Sequence, residues 1–429
     1  MINSNNRAKY LPALSFLLFA LTFSPFLTRA ASILLPMDEV QKDHLKSYGI
    51  AFWVLKNGDE VDWLLNYRGG SFMTKYNKKI EDECKIRGVS YEVLADAKVD
   101  QLTKEISDPS VNMDIVKLEK APKMAVYSPK NKLPWDDAVT LVLKYAEIPY
   151  DVLYDEEVIK GDLPKYDWLH LHHEDFTGQY SKFYGAFRYA QWYNDDVKIQ
   201  ETTAHKLGYK KVSQMKLAVA LHIREFCAGG GFLFAMCSGT DTFDIALAAA
   251  NTDICEQMFD GDGADPAAQS KLNFSETFAF QNFTLDMNPV SHQFSNIDVT
   301  ATRQVERVKD FFTLFDFSAK WDVVPSMLTQ NHDKVIKGFM GLTTAFNKAM
   351  LKPGVTIMGE MKTNNEVRYI HGDYGKGQWT FYSGHDPEDY QHIVGDPPTD
   401  LKLHPNSPGY RLILNNVLFP AARKKKQKT

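Results

Sequence analysis

After its first thirty residues the chain has no segment long and apolar enough to cross a membrane as a helix. It holds only four cysteines, Cys84, Cys227, Cys237 and Cys255. Four is too few for a disulfide-built scaffold, and their spacing matches no zinc motif. A disulfide joining Cys237 to Cys255 or to Cys227 stays open as a structural alternative. There is no basic excess either, which argues against a nucleic-acid binder. The run Arg423-Lys424-Lys425-Lys426-Gln427-Lys428 is the exception, and it reads as a solvated tail.

The N-terminus carries the pattern of a cleavable secretory signal. Arg7 and Lys9 precede the apolar stretch Leu11 to Phe23, and Pro25 breaks it. Thr28-Arg29-Ala30 sets small residues at −3 and −1 of a cut before Ala31. The expectation is an exported protein, periplasmic or secreted. Without Arg7, Lys9 and Arg29 the mature chain has 46 basic residues against 54 acidic ones.

The remaining length, about 400 residues, suits two or so domains. Residues 31–115 read as a βαβαβ unit, with strands at Ile33–Met37, Val61–Tyr67 and Tyr91–Leu94. Asp38 is the expected cap of the first helix, which Asn57-Gly58 ends. Lys98 to Pro122 reads as an irregular connector. A second α/β series follows, with strands at Lys123–Tyr127, Tyr150–Tyr154 and Tyr166–Leu171. Pro134-Trp135-Asp136-Asp137 opens a helix, and Phe183 to Phe226 is largely helical. Residues 261–350 read as an irregular or helical insertion. Strands resume at Gly354–Gly359, Val367–His371 and Gln378–Tyr382, and Leu412–Phe419 closes the chain as a helix.

Ala235-Met236-Cys237-Ser238-Gly239 ends an apolar strand. Small residues two before and two after a nucleophile are what a sharp strand-to-helix elbow requires. A helix N-terminus beyond it favours a thiolate and offers N–H groups at Ser238 and Gly239 to an oxyanion. Cys237 is therefore the candidate nucleophile. A small buried cysteine in a tight turn is the plainer alternative. The candidate base is His385, where the strand after Gly375-Lys376-Gly377 ends at Gly384-His385. Glu388, and after it Asp386, is the candidate to orient the imidazole. The cluster His170-Leu171-His172-His173-Glu174-Asp175 ends a third strand, and His172, His173 and Glu174 would shape a substrate pocket. The same cluster could bind a metal, but no second segment offers ligands at a recognisable spacing. Asp260 to Asp265 lacks a calcium loop's final acid, since Lys271 stands at the twelfth position. No cofactor or metal is expected.

These residues together resemble the class I glutamine amidotransferase-like superfamily over roughly Lys123 to Asp260 and Gly354 to Glu388. The Gly375 to His385 segment is most similar to its trehalose-utilisation (ThuA-like) branch. The resemblance implies a flavodoxin-like parallel sheet with helices on both faces, Cys237 as nucleophile, His385 as base and Glu388 as the acid. Three features depart from the family: Ala235 stands where glycine is usual, Glu388 follows His385 by three residues rather than two, and His172-His173-Glu174 stands where the family's oxyanion glycines follow an early strand.

The whole mature chain also resembles exported Bacteroidetes proteins commonly labelled asparagine synthetase B. The landmarks are Pro36 to Gly49 (P-M-D-E-V-Q-K-D-H-L-K-S-Y-G) and Trp63 to Phe72 (W-L-L-N-Y-R-G-G-S-F). The residues argue against synthetase activity. No cysteine opens the mature chain, and no S-G-G-x-D-S pyrophosphatase loop occurs.

The expectation is an exported hydrolase or acyl-transfer enzyme acting on a small-molecule or envelope-derived amide-like substrate. It has no nucleic-acid partner and no membrane span in the mature chain. The alternative is a non-catalytic envelope binding or assembly protein on the same fold.

Overall fold

The computed structural model describes residues 30–130, 137–391, 393 and 396–422. The signal segment before Ala30, the helix-opening Pro134 to Asp136 and the basic tail from Arg423 lie outside them.

Strands β1 (Ala30–Leu35), β2 (Val61–Leu65), β3 (Ser71–Lys75), β4 (Glu92–Ala95) and β5 (Asp114–Leu118) form one sheet in the order β4-β1-β3-β2-β5. Every pairing in it is antiparallel. The βαβαβ expectation therefore holds for alternation but not for strand count or direction. Arg68-Gly69-Gly70 lies in the turn of a hairpin between β2 and β3. The expected connector at 98–122 contains most of the helix Asp96–Ser107 and all of β5. The first helix is His44–Lys56, and its cap is Asp43 rather than Asp38. The Asp43 carboxylate accepts the N–H of Lys46 at 2.8 Å. Asp38 instead pairs with Arg68.

A second sheet holds ten strands among the described residues. They are β6 (Met124–Tyr127), β7 (Asp151–Leu153), β8 (Trp168–Leu171), β9 (Phe232–Met236), β10 (Phe311–Leu314), β11 (Val335–Lys337), β12 (Phe346–Asn347), β13 (Thr356–Met361), β14 (Glu366–Tyr374) and β15 (Gly377–Tyr382). Their order is β11-β10-β13-β14-β15-β9-β8-β6-β7, with β12 on β14. The block β15-β9-β8-β6-β7 is parallel. From β14 to β11 the pairing is antiparallel. The expected insertion at 261–350 thus supplies β10 and β11, which extend the sheet. Both strands are short, three or four residues, and gave no long apolar run to detect.

The parallel strands are covered on both faces, which is why they read as continuous apolar runs. Met124, Val126, Phe234 and Met236 face a core shared with the helices His44–Lys56, Ala138–Tyr145 and Pro408–Leu418. Ala125, Tyr127, Leu233 and Ala235 point the other way, onto the helices Val212–Ala228 and Ser238–Ala248. The first of these cores also takes in Ile33, Trp63 and Phe72, so the N-terminal sheet packs into it. No helix among the described residues is long and apolar enough to cross a membrane.

Candidate functional site

The carboxyl ends of three neighbouring parallel strands, β8, β9 and β15, carry His172 and His173, Cys237 and His385 in turn. In open α/β sheets this is where ligands bind.

Cys237 follows β9 directly and caps the helix Ser238–Ala248. That helix begins at once after the cysteine. The Cys237 backbone stands at φ 50°, ψ −144°, a conformation that costs a non-glycine residue on the order of 1–3 kcal/mol. Such strain persists only where the surroundings impose it, and two contacts do so here. The Cys237 N–H donates to the carbonyl of Gly384 at 3.1 Å, and the Gly239 N–H to the carbonyl of His172 at 2.6 Å. Gly239 has to be small, because a Cβ there would stand 2.4 Å from the His172 oxygen. Ser238 is the first residue of the helix, so its N–H has no partner within it. Cys237 is a free thiol, as are the other three cysteines. The disulfide alternative is therefore not what the fold builds.

His385 follows β15. Its Nδ1 lies 3.0 Å from Nε2 of His172, and the two rings meet edge to face. His173 stacks over the His385 ring at 5.6 Å between centroids. Behind His172 stands Asp137, whose Oδ2 is 3.8 Å from His172 Nδ1 and 3.4 Å from His170 Nε2. Its Oδ1 accepts the Thr140 N–H at 2.8 Å as the cap of the helix Ala138–Tyr145. Burial disfavours the Asp137 charge, yet His172 and His170 more than offset it and hold the carboxyl well below the usual carboxylate range. Burial drives the His172 imidazole well below its ordinary value, against the pull of Asp137. His170 is fully buried and bonds the Phe234 carbonyl through Nδ1 at 3.1 Å, so it belongs to the core beneath the site.

Asp137 is placed to favour the hydrogen of His172 on Nδ1. In that tautomer Nε2 accepts from His385 Nδ1, and the lone pair of His385 lies on Nε2.

Glu388, expected to orient His385, is turned elsewhere. Its carboxylate meets His404 at 3.2 Å and Lys337 at 3.7 Å. The second candidate, Asp386, caps its own turn by accepting the Glu388 N–H at 2.8 Å. The sequence did not single out Asp137 for the site, because it read as part of a helix opening. Its one signal was an acid at a helix start just beyond a buried parallel strand.

Glu174 lies beside the site, and its carboxylate accepts from Tyr154 at 3.1 Å. Burial pushes its pKa up to about 7, against the nearby Lys216. Lys216 is itself buried against Asp155 at 3.0 Å. Asp175 folds back on its own loop and accepts from the Thr177, Gln179 and Ser181 N–H groups.

Cys237, His172 and His385 are each only 2% exposed. A cleft of about 1700 Å³ opens at the opposite, amino ends of β8, β9 and β15, between Gly229–Phe232 and Gly375–Gln378.

No family model and no curated protein matches the chain. Among solved structures, cytoplasmic protein STM3548 from Salmonella typhimurium aligns at 12% identity over 70% of this chain and all of its own, with a TM-score of 0.35. Cytoplasmic protein STM1381 from Salmonella typhimurium LT2 gives the same identity and coverages at 0.32. Gan42B, a GH42 beta-galactosidase, is also 12% identical, over 62% of this chain and 28% of its own, at 0.26. Overlaps this loose say nothing about what this chain does.

Proposed function

We propose that the chain is an exported cysteine-dependent hydrolase or acyl-transfer enzyme acting on an amide-like substrate, built on a flavodoxin-like, amidotransferase-like sheet. The observation that carries the reading is Cys237 at φ 50°, held in a strand-to-helix elbow by its N–H bond to Gly384, the residue before His385. In chain order the parallel strands run 2-1-3-4-5, which is the flavodoxin-like order.

In this reading His385 Nε2 takes the Cys237 thiol proton. The thiolate attacks the amide carbonyl, and the Ser238 N–H at the helix start faces the oxyanion. The His385 imidazolium then gives its proton to the leaving amine, and water releases the acyl group by the same route. Asp137 and His172 replace the single acid of the family pattern. They hold the His385 tautomer and stabilise its cation through His172 Nε2. Glu174, half-buried with a pKa near 7, lies where a polar part of the substrate would be read.

Export rests on the Arg7 to Ala30 pattern, and N-terminal sequencing of the mature protein should begin at Ala31.

The test is mass spectrometry of the native protein after iodoacetamide or an electrophilic glutamine analogue. The expected product carries one label, at Cys237. A native Cys237 that stays unmodified while the unfolded chain labels fully ends the proposal. That result would favour a non-catalytic binding protein, for which the 2% exposure of both Cys237 and His385 speaks.

A further inference from the structure

Besides the buried Asp137, His170 and His172, two groups of side chains have the composition of a metal site. In the first, Asp253, Cys255 and Asp260 converge, but the place is taken. The Lys211 ammonium lies 2.8 Å from Asp253 and 3.0 Å from Asp260, so the cluster is already neutralised. In the second, ligand atoms of His172, His173 and His385 all lie within 4.8 Å of one another. We propose that these three imidazoles hold one divalent cation of the zinc type, and that its binding switches the thiol site off.

The distances suit the ion. Zinc takes imidazole nitrogen at about 2.0–2.1 Å in a tetrahedron, which sets two ligand nitrogens about 3.3 Å apart. His172 Nε2 and His385 Nδ1 stand 3.0 Å apart, so a few tenths of an ångström of ring motion admits the metal. The ligands come from the ends of two different strands, β8 and β15, which packing holds rigid. His173, half-buried while the other two are buried, gives the ion its route from solvent. Asp137 supplies the outer carboxylate that ligating histidines need: it faces His172 Nδ1 and presents Nε2 inward as the lone pair. Imidazole ligands without thiolate select zinc, nickel or copper over magnesium or calcium.

The proton balance links the metal to the chemistry, and this link rests on the thiol reading above. In the metal-free site a hydrogen on His385 Nδ1 bridges to His172. Coordination replaces that hydrogen, which moves to His385 Nε2. No proton is lost, but Nε2 is then N–H and has no lone pair for the Cys237 proton. Metal binding and base function exclude one another.

The metal site is tested without the thiol. Zinc chloride is titrated by calorimetry into the full chain carrying Cys237→Ser, after removal of metals with a chelator. One ion per chain is expected. His173→Gln and His385→Gln should each weaken binding about 100-fold and Asp137→Asn about 10-fold or more. His222→Gln, on an exposed helix face, should change nothing. Circular dichroism confirms that each variant is folded; His173→Gln, the least buried change, decides the matter if the others are not. Absence of zinc binding, or binding that survives His173→Gln at full strength, overturns the site. The switch is tested on the wild type: saturating zinc should slow iodoacetamide labelling of Cys237 at least 10-fold, and chelator should restore it. Zinc that binds without slowing the label overturns the switch alone. A Cys237 that does not label even when metal-free is instead a failure of the thiol reading and leaves the calorimetric result standing.

Discussion

His172 Nε2 and His385 Nδ1 lie 3.0 Å apart although 213 residues separate them. The contact spans the end of β9, the strand between their own two, and β9 is the strand that delivers Cys237. One hydrogen bond thus links the two strand ends that flank Cys237. Asp137 stands behind His172, its Oδ2 3.8 Å from Nδ1.

That relay makes Asp137 and Glu388 separable. Asp137→Asn keeps the shape but removes the charge that orders the hydrogens, and it should slow labelling of Cys237 about 10- to 100-fold at pH 7.5. Glu388→Gln should leave the rate within about 2-fold, since Glu388 serves His404 and Lys337. Both rates come from quenched labelling followed by mass spectrometry. The reverse ranking would return the orienting role to Glu388.

Much of this site was legible from sequence, and what was missed has a physical reason. Cys237 and His385 announced themselves because each ends an apolar run buried on both faces, and a polar residue at such an end faces the crevice. Glu388 was chosen for its nearness in sequence. Six residues beyond the end of β15, however, the chain has turned, and the turn that Asp386 caps carries Glu388 toward Lys337. Asp137 acts across strands, on a residue 35 positions later, and no local spacing encodes that. The N-terminal sheet shows the same limit. Alternating strand and helix patterns were visible, but Gly69-Gly70 as a hairpin turn, and so the antiparallel order, depends on pairing between Phe72 and Trp63.

The elbow should invert an ordinary preference. In most elements glycine is less stable than alanine by about 0.5–1 kcal/mol. At φ 50° the Cβ is the source of strain. Cys237→Gly should therefore be more stable than Cys237→Ala by about 1 kcal/mol, with labelling lost in both. Urea unfolding of the two variants checks the sign. Alanine more stable than glycine would mean that the backbone at 237 is unstrained.

Arg411 ties the two sheets. It is fully buried, and its guanidinium donates to the carbonyls of Met37 at 3.1 Å and Gly69 at 2.6 Å, beside His332 Nδ1 at 2.8 Å. Met37 follows β1 and Gly69 lies in the β2–β3 turn, side by side at one end of the N-terminal sheet, so one side chain of the closing helix pins that end. Arg411→Met fills the space but strands two carbonyls, and it should cost about 2–4 kcal/mol in urea unfolding. Arg411→Lys should cost nearly as much, because a single ammonium does not reproduce the fork. A lysine variant as stable as the wild type would show that only the charge matters.

His371 should make stability depend on pH. It lies in the middle of β14, buried, with Nδ1 3.2 Å from the Thr380 hydroxyl. Burial lowers its pKa to about 4, against the opposing pull of Asp373. Between pH 6.5 and 4 the unfolded chain binds a proton at this residue that the folded chain refuses. The unfolded state then holds more protons, so stability falls as pH falls through that window and is fully present above it. The contribution is on the order of 3 kcal/mol across the window. Other groups titrate there too, so the test is a difference. Urea midpoints of the wild type and His371→Gln are measured at pH 7 and pH 4.5. The wild type should lose about 2–3 kcal/mol more than the variant on acidification. Equal losses would mean that His371 accepts its proton in the folded state, through Asp373 or through water entering from the adjoining cleft, whose wall it forms.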